Sequence, residues 1–118
     1  MILQIHQIIV LPLKILSIFP TKYRLRKEMV IHKYLNSCIT GNLVVVKQLV
    51  HEVGVNYQDD NKTTGLNWAV WKGHNNVVKY LLSMPGIDVN IVNHKGWSPL
   101  HSAVFRKNRC IIHYYNDA

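Results

Sequence analysis

Two stretches of this 118-residue chain repeat one another at an offset of 34 residues. One begins at Val55 and reads VNYQDDNKTTGLNWAVWKGHNNVVKYLL; the other begins at Val89 and reads VNIVNHKGWSPLHSAVFRKNRCIIHYY. Val55-Asn56 falls on Val89-Asn90, Leu66 on Leu100, Ala69-Val70 on Ala103-Val104, Trp71 on Phe105 and Val77-Val78 on Ile111-Ile112. A third copy lies upstream at an offset of 32, where Gly41 falls on Gly73, Val45-Val46 on Val77-Val78 and Leu49 on Leu81. The two-residue difference falls in the segment SMPGIDVN, a loop, where a change in length is tolerated. A period of this size means that each copy is one supersecondary unit. Such a unit cannot bury its own apolar face, so neighbouring copies stack.

The residues within a copy predict two antiparallel helices. Ser98 is a helix N-cap and Pro99 fits the first helical position, where its missing N–H is no loss. Leu100, Ala103 and Val104 then fall at helical spacing on one face. Ala69 and Ala103 are small enough for two helices to approach closely. Gly41 and Gly73 end the first helices at a point that needs a left-handed backbone. Val77, Val78, Leu81 and Leu82 make an apolar stripe on the second helix.

These strings resemble the ankyrin repeat. The residues that carry the resemblance are Ser98-Pro99-Leu100-His101 for the family's tetrapeptide, GHNNVVKYLL for its turn and second helix, and Gly86-Ile87-Asp88-Val89-Asn90 for its loop. The resemblance implies an all-α solenoid of stacked helix-turn-helix units joined by β-turn loops. About three copies span residues 28–118, after an apolar and basic extension over residues 1–27. The array departs from the family pattern in places. The tetrapeptide is Thr64-Gly65-Leu66-Asn67 in the middle copy and His32-Lys33-Tyr34-Leu35 in the first, and Lys107-Asn108 stands where the last copy should have Gly-His. Solenoids need polar ends, yet the last helix carries Cys110-Ile111-Ile112-His113-Tyr114-Tyr115. It is expected to be poorly ordered, or covered by another chain or by the N-terminal segment; a truncated or decayed array is a further reading.

The resemblance also implies a function: binding another protein through loop tips and the exposed face of the first helices. The matching positions are Asp60, Asn61, Thr63, Trp71 and Lys72 in the middle copy and His94, Lys95, Trp97, Phe105 and Arg106 in the last, with Ile39 and Thr40 in the first. Trp71 above Phe105, edged by Lys72 and Arg106, makes an aromatic stripe with a positive border, the composition that binding hot spots favour. The same two rings could serve only to pack one copy on the next, and the loop-tip residues could be plain solvated turns. The resemblance gives His101 a hydrogen bond to the neighbouring loop, and His74, at the turn, a structural place.

The remaining chemistry is sparse. The sequence holds six Asp and Glu. The adjacent pair Asp59-Asp60 sits where an aspartate organises a turn. With no nucleophile beside a base and no glycine-rich phosphate loop, an enzyme is not expected. Cys110 and His113 share a helical spacing without a second ligand pair, so neither a metal nor another cofactor is expected. Cys38 and Cys110, outside any disulfide framework, read as free thiols in a reducing, cytoplasmic setting.

The formal charge of +8 suits an acidic partner, nucleic acid or an anionic membrane. Six of the fourteen Lys and Arg lie early, at Lys14, Lys22, Arg24, Arg26, Lys27 and Lys33, with only Glu28 against them; Arg106, Lys107 and Arg109 make a second group. Residues 1–19 are strongly apolar but interrupted by Gln4, His6, Gln7, Pro12 and Lys14. They lack the order of a secretory signal and the length of an unbroken span. Read with the basic run behind them, residues 1–27 give an alternative, a membrane-tethered adaptor. Nucleic-acid binding through the same basic patch is disfavoured.

Overall fold

The computed structural model describes residues 21–117; the apolar stretch 1–19 lies outside them. The described chain forms six helices: α1 (Thr21–Thr40), α2 (Leu43–Val53), α3 (Gly65–Lys72), α4 (Asn75–Leu82), α5 (Pro99–Phe105) and α6 (Arg109–Asp117). They pair as hairpins α1/α2, α3/α4 and α5/α6. The hairpins stack through α1 on α3 on α5, with α2, α4 and α6 behind. The fold is the all-α repeat solenoid that the period implies. No helix among the described residues is long and apolar enough to cross a membrane.

Each hairpin closes the same way. Asn42 N–H donates to Ser37 O, His74 N–H to Ala69 O and Asn108 N–H to Ala103 O, at 2.9, 2.9 and 3.0 Å. This six-to-one bond ends a helix by passing through a left-handed residue. Gly41 and Gly73 supply it at φ +83° and +79°. In the last copy Lys107 takes the same place at φ +56°, so the turn survives without its glycine. Asn42 and Asn108 then cap the second helices, accepting from Val45 N–H and Ile111 N–H. The first helices open on Thr64, which accepts from Asn67 N–H, and on Ser98, which accepts from His101 N–H.

Gly41 has a second constraint. A Cβ there would lie 2.5 Å from His74 Nδ1, and that ring is held by a 2.7 Å hydrogen bond between Nε2 and Ile39 O. His74 is thus structural, tying the middle copy to the first. Gly41→Ala is expected to destabilise the fold by about 1–3 kcal/mol through left-handed strain plus the clash. Gly86→Ala, at φ +80° in open space, carries the strain alone and should lose about 1 kcal/mol. Urea unfolding of the two variants checks the ranking, and equal losses would show that the His74 contact relaxes freely.

The core is one cluster running through all three hairpins, from Ile31, Tyr34 and Cys38 through Leu66, Ala69 and Val70 to Ala103 and Ile111. α1 crosses position 28 without a break. Lys27 is buried, and its Nζ donates to Glu52 O at 3.1 Å, so the first hairpin is already packed at Lys27.

Two expectations about the last copy are corrected. α6 is a formed helix whose Ile111 is fully buried and whose Ile112, Tyr114 and Tyr115 pack on the core. The uncovered apolar surface is on α5 instead: Ala103 is buried, but Leu100 and Val104 are 39% and 58% exposed. Ala103 faces inward in the stack, whereas Leu100 and Val104 lie on the side where a further unit would sit. Their counterparts Leu66 and Val70, with α5 stacked beyond them, are 1% and 0% exposed.

Candidate functional site

Two long loops project from the hairpins, and a side-chain oxygen, from an Asp in the first and an Asn in the second, shapes each. Asp59 Oδ1 accepts from Asn61 N–H and Thr63 N–H at 2.9 and 3.0 Å. One period later Asn93 Oδ1 accepts from Lys95 N–H and Trp97 N–H at 2.9 and 3.1 Å. Lys62 and Gly96 hold the left-handed position of the two turns, at φ +59° and +81°. Asp59 Oδ2 also accepts from Trp68 Nε1–H at 2.8 Å, which fixes the first loop to its own helix. Asp59 is therefore a turn organiser with both oxygens engaged.

The loops are bonded to each other. His94 N–H donates to Asn61 O at 3.0 Å, and His94 Nδ1 lies 3.1 Å from the same oxygen. Asn56 spans the loop bases by donating to Gly86 O and accepting from Asp88 N–H. Beneath them, buried Asn67 donates through Nδ2 to Trp97 O at 3.1 Å and accepts through Oδ1 from Ser102 Oγ–H at 2.8 Å. A buried amide bonded on both sides holds the copies in register, since leaving either group unpaired costs about 1–3 kcal/mol.

This arrangement corrects the expectation for His101. The residue is exposed, and its Nδ1 accepts from Ser98 N–H at 3.4 Å, completing a capping box within its own helix. The bond to a neighbouring loop is made one copy earlier by Asn67, at the matching place in Thr64-Gly65-Leu66-Asn67. Among the described residues no further loop lies beside His101.

The aromatic stripe is present and larger than expected. Trp71 and Phe105 stack at 5.6 Å between ring centres with 13° between planes. Trp97 closes against both, 5.9 Å from Trp71 and 5.0 Å from Phe105. The Arg106 guanidinium sits 5.1 Å from the centre of the Trp71 ring, within cation–π range. Phe105 packs on Trp71 and remains 61% exposed, so packing between copies leaves a contact surface.

Beside the rings is a cleft of about 260 Å³ between the loops and the first helices. Asn61, Thr63, Trp71, His94, Lys95 and Trp97, all expected site residues, line it. Asn67, Trp68, Asn93 and Ser102 line it too and were not expected; the position of Asn67 in the tetrapeptide was the available signal. Thr63 is nearly buried in its wall. Asp60 and Lys72 are exposed outside the cleft, and Arg106 joins through Trp71. Among the described residues no group of three or more potential metal ligands comes together. Cys38 is buried and Cys110 exposed, both as free thiols.

A profile described as ankyrin repeats (3 copies) matches residues 34–114. The chain belongs to the ankyrin-repeat family. Relatives of this ankyrin-repeat chain are similar to it over the repeats. It is 37% identical to the 26S proteasome non-ATPase regulatory subunit 10 of Dictyostelium discoideum, over 53% of this chain and 28% of that protein. It is 33% identical to the putative ankyrin repeat protein YahD of Escherichia coli, over 63% of this chain and 37% of that one. It is 35% identical to palmitoyltransferase AKR1 of Lachancea kluyveri, over 65% of this chain and 11% of that enzyme. The chain thus spans well under half the length of each of these relatives. Ankyrin repeats are in general non-catalytic modules that mediate protein–protein interaction.

Proposed function

We propose that this ankyrin-repeat chain is a protein-interaction module that binds an acidic, partly apolar segment of a partner across the cleft between its two loops and along the Trp71–Phe105 ledge. The observation that carries this reading is the three-ring cluster of Trp71, Trp97 and Phe105, topped by Arg106 and open to solvent at Phe105. Aromatic and arginine side chains held rigid beside a cleft supply contact area at little further loss of side-chain freedom. Lys95 on the cleft rim, with Arg106 and Lys72 nearby, favours carboxylates. A reducing, cytoplasmic setting belongs to the same proposal, supported by the free thiols of Cys38 and Cys110.

Selection of a random peptide library on the full chain tests this. Enriched peptides are expected to combine Asp or Glu with aliphatic or aromatic residues. Phe105→Ala and Lys95→Glu, both at exposed positions, should each weaken the selected peptides by about tenfold or more. Enrichment of basic peptides, or affinities indifferent to both variants, would overturn the reading.

A further inference from the structure

The six acidic residues all lie toward the loop end of the stack. Asp59, Asp60 and Asp88 are in the long loops, and Glu52 and Asp117 stand at the ends of α2 and α6, which return to that side. Glu28 follows Lys27, whose Nζ is bonded to Glu52 O. The stretches 29–51, 61–87 and 89–116, which hold the three hairpin turns, contain no Asp or Glu. The cations are placed differently. The two loops carry Lys62 and Lys95 against three aspartates, whereas Lys72, Arg106, Lys107 and Arg109 stand at the turns with no acid beside them.

These four cations share one firm edge. Asn108 Nδ2–H donates to Asn75 Oδ1 at 3.1 Å, which ties the last turn to the middle one. A Cβ on Gly73 would come within 4.0 Å of the same Nδ2, so the turns that carry Lys72 and Lys107 are in contact. Arg106 reaches back to 5.1 Å from the centre of the Trp71 ring, which joins the edge to the aromatic ledge. All four cations are exposed. Lys72 is exposed although α5 and α6 already stack beyond its copy, so the edge stays open whichever copy is last.

A segment that lies in the cleft and along the Trp71–Phe105 ledge runs off the rings at this edge. Carboxylates spread along the segment would meet Asp60 at the loops as well as Lys95. Carboxylates gathered at its turn end would meet cations alone. We propose that the hairpin-turn edge is a second contact surface for the partner segment, and that it receives a run of Asp and Glu standing to one side of the segment's apolar anchor. This rests on the cleft reading above and adds the order of the partner's sequence. Apolar residues lie over the rings, and the acidic run lies beyond them against Lys72, Arg106, Lys107 and Arg109.

The probes are peptides from two libraries of equal composition, each with randomised aliphatic and aromatic positions and the same number of glutamates. In one the glutamates are gathered at either end of the apolar block; in the other they are spread through it. Selected together on the full chain, gathered peptides are expected to outnumber spread ones by about tenfold at low salt, with a smaller excess at high salt. The best peptide of each kind is then titrated by calorimetry. Lys72→Glu combined with Arg109→Glu, both at exposed helix ends, should weaken the gathered peptide by about tenfold and bring the two peptides within about twofold of each other. Lys72→Gln with Arg109→Gln is the milder second variant, expected to give part of that loss, and circular dichroism confirms that each is folded. Phe105→Ala should weaken both peptides and leave the gap between them. Equal enrichment, or a gap that survives both charge variants, would overturn the proposal and leave the cleft reading standing. Indifference of both peptides to Phe105→Ala would overturn the cleft reading and this proposal with it. Binding to phosphatidylserine vesicles that the double Glu variant abolishes, with no gap between the peptides, would also overturn it, because an anionic membrane would then be the occupant.

Discussion

Truncating Leu66 to alanine is expected to remove about 2–5 kcal/mol of stability, while the same truncation at Leu100 removes about 1 kcal/mol or less. The two leucines occupy the same place in successive copies, so helix propensity and local backbone are closely matched. They differ in what lies against them. Leu66 is 1% exposed, with α1 on one side and α5 on the other; Leu100 is 39% exposed and meets only what lies behind it. Removing Leu66 leaves a cavity between covered helices, whereas removing Leu100 widens a hollow that water already reaches. Urea unfolding followed by circular dichroism measures both. For a small domain a loss of this size at Leu66 is a large fraction of the total, and Leu66→Val keeps the transition measurable with about 1 kcal/mol lost. Equal losses at the two sites would mean that the α5 face is covered in solution.

Stability is also expected to fall steeply in alkali. Burial pushes the Cys38 thiol from its ordinary 9.0 up to about 12, against a smaller opposing pull from the Tyr34 hydroxyl beside it. Burial likewise raises the phenols of Tyr34 and Tyr115 above their ordinary 10.0, and neither hydroxyl finds a hydrogen-bond partner of good geometry. Below pH 9 these groups are protonated in folded and unfolded chains alike, so they add no pH dependence. Above it the unfolded chain releases protons that the folded chain keeps. The unfolded state then binds fewer protons, and stability falls by about 1.4 kcal/mol per pH unit for each such group. The Cys38 contribution runs from pH 9 to about 12, and the tyrosines join above pH 10. Lys27 acts in the opposite sense. Burial lowers its pKa despite Glu52, so across that interval the folded chain holds the smaller proton share. One partly lowered lysine does not offset three raised acids. Unfolding midpoints between neutral pH and pH 11 check this, together with thiol labelling, in which exposed Cys110 reacts in the native protein and Cys38 only on unfolding. A flat profile, or equal labelling at neutral pH, would contradict the burial of this cluster.

Much of the fold was legible because repetition makes each copy a check on the others. Gly41 and Gly73 announced the left-handed turns, and Ser98-Pro99 announced the start of α5. Lys62 and Lys107 were not legible as left-handed residues. Lysine has no preference for that conformation and accepts it here because the surrounding turn bonds are complete. The start of α1 was hidden for another reason: Thr21–Thr40 has only a weak amphipathic pattern, and its Lys27 reads as surface charge until Glu52 O is seen to receive it. In the site, the offset placed Trp71 over Phe105 correctly. That Trp97 completes the group depends on the path of a loop, which spacing does not encode. Leu100 and His101 were misread for one shared reason. A repeat pattern describes a residue with neighbours on both sides, and the last described copy has a neighbour on one.

The bonds between the two loops have a mechanical consequence. Asn56, Asn61, Asn67 and their partners rivet the middle and last copies along their whole depth, from fingertip to helix start. A partner that lands on either fingertip therefore pushes against one stiff edge two units wide, and a load on the first loop is shared by the second.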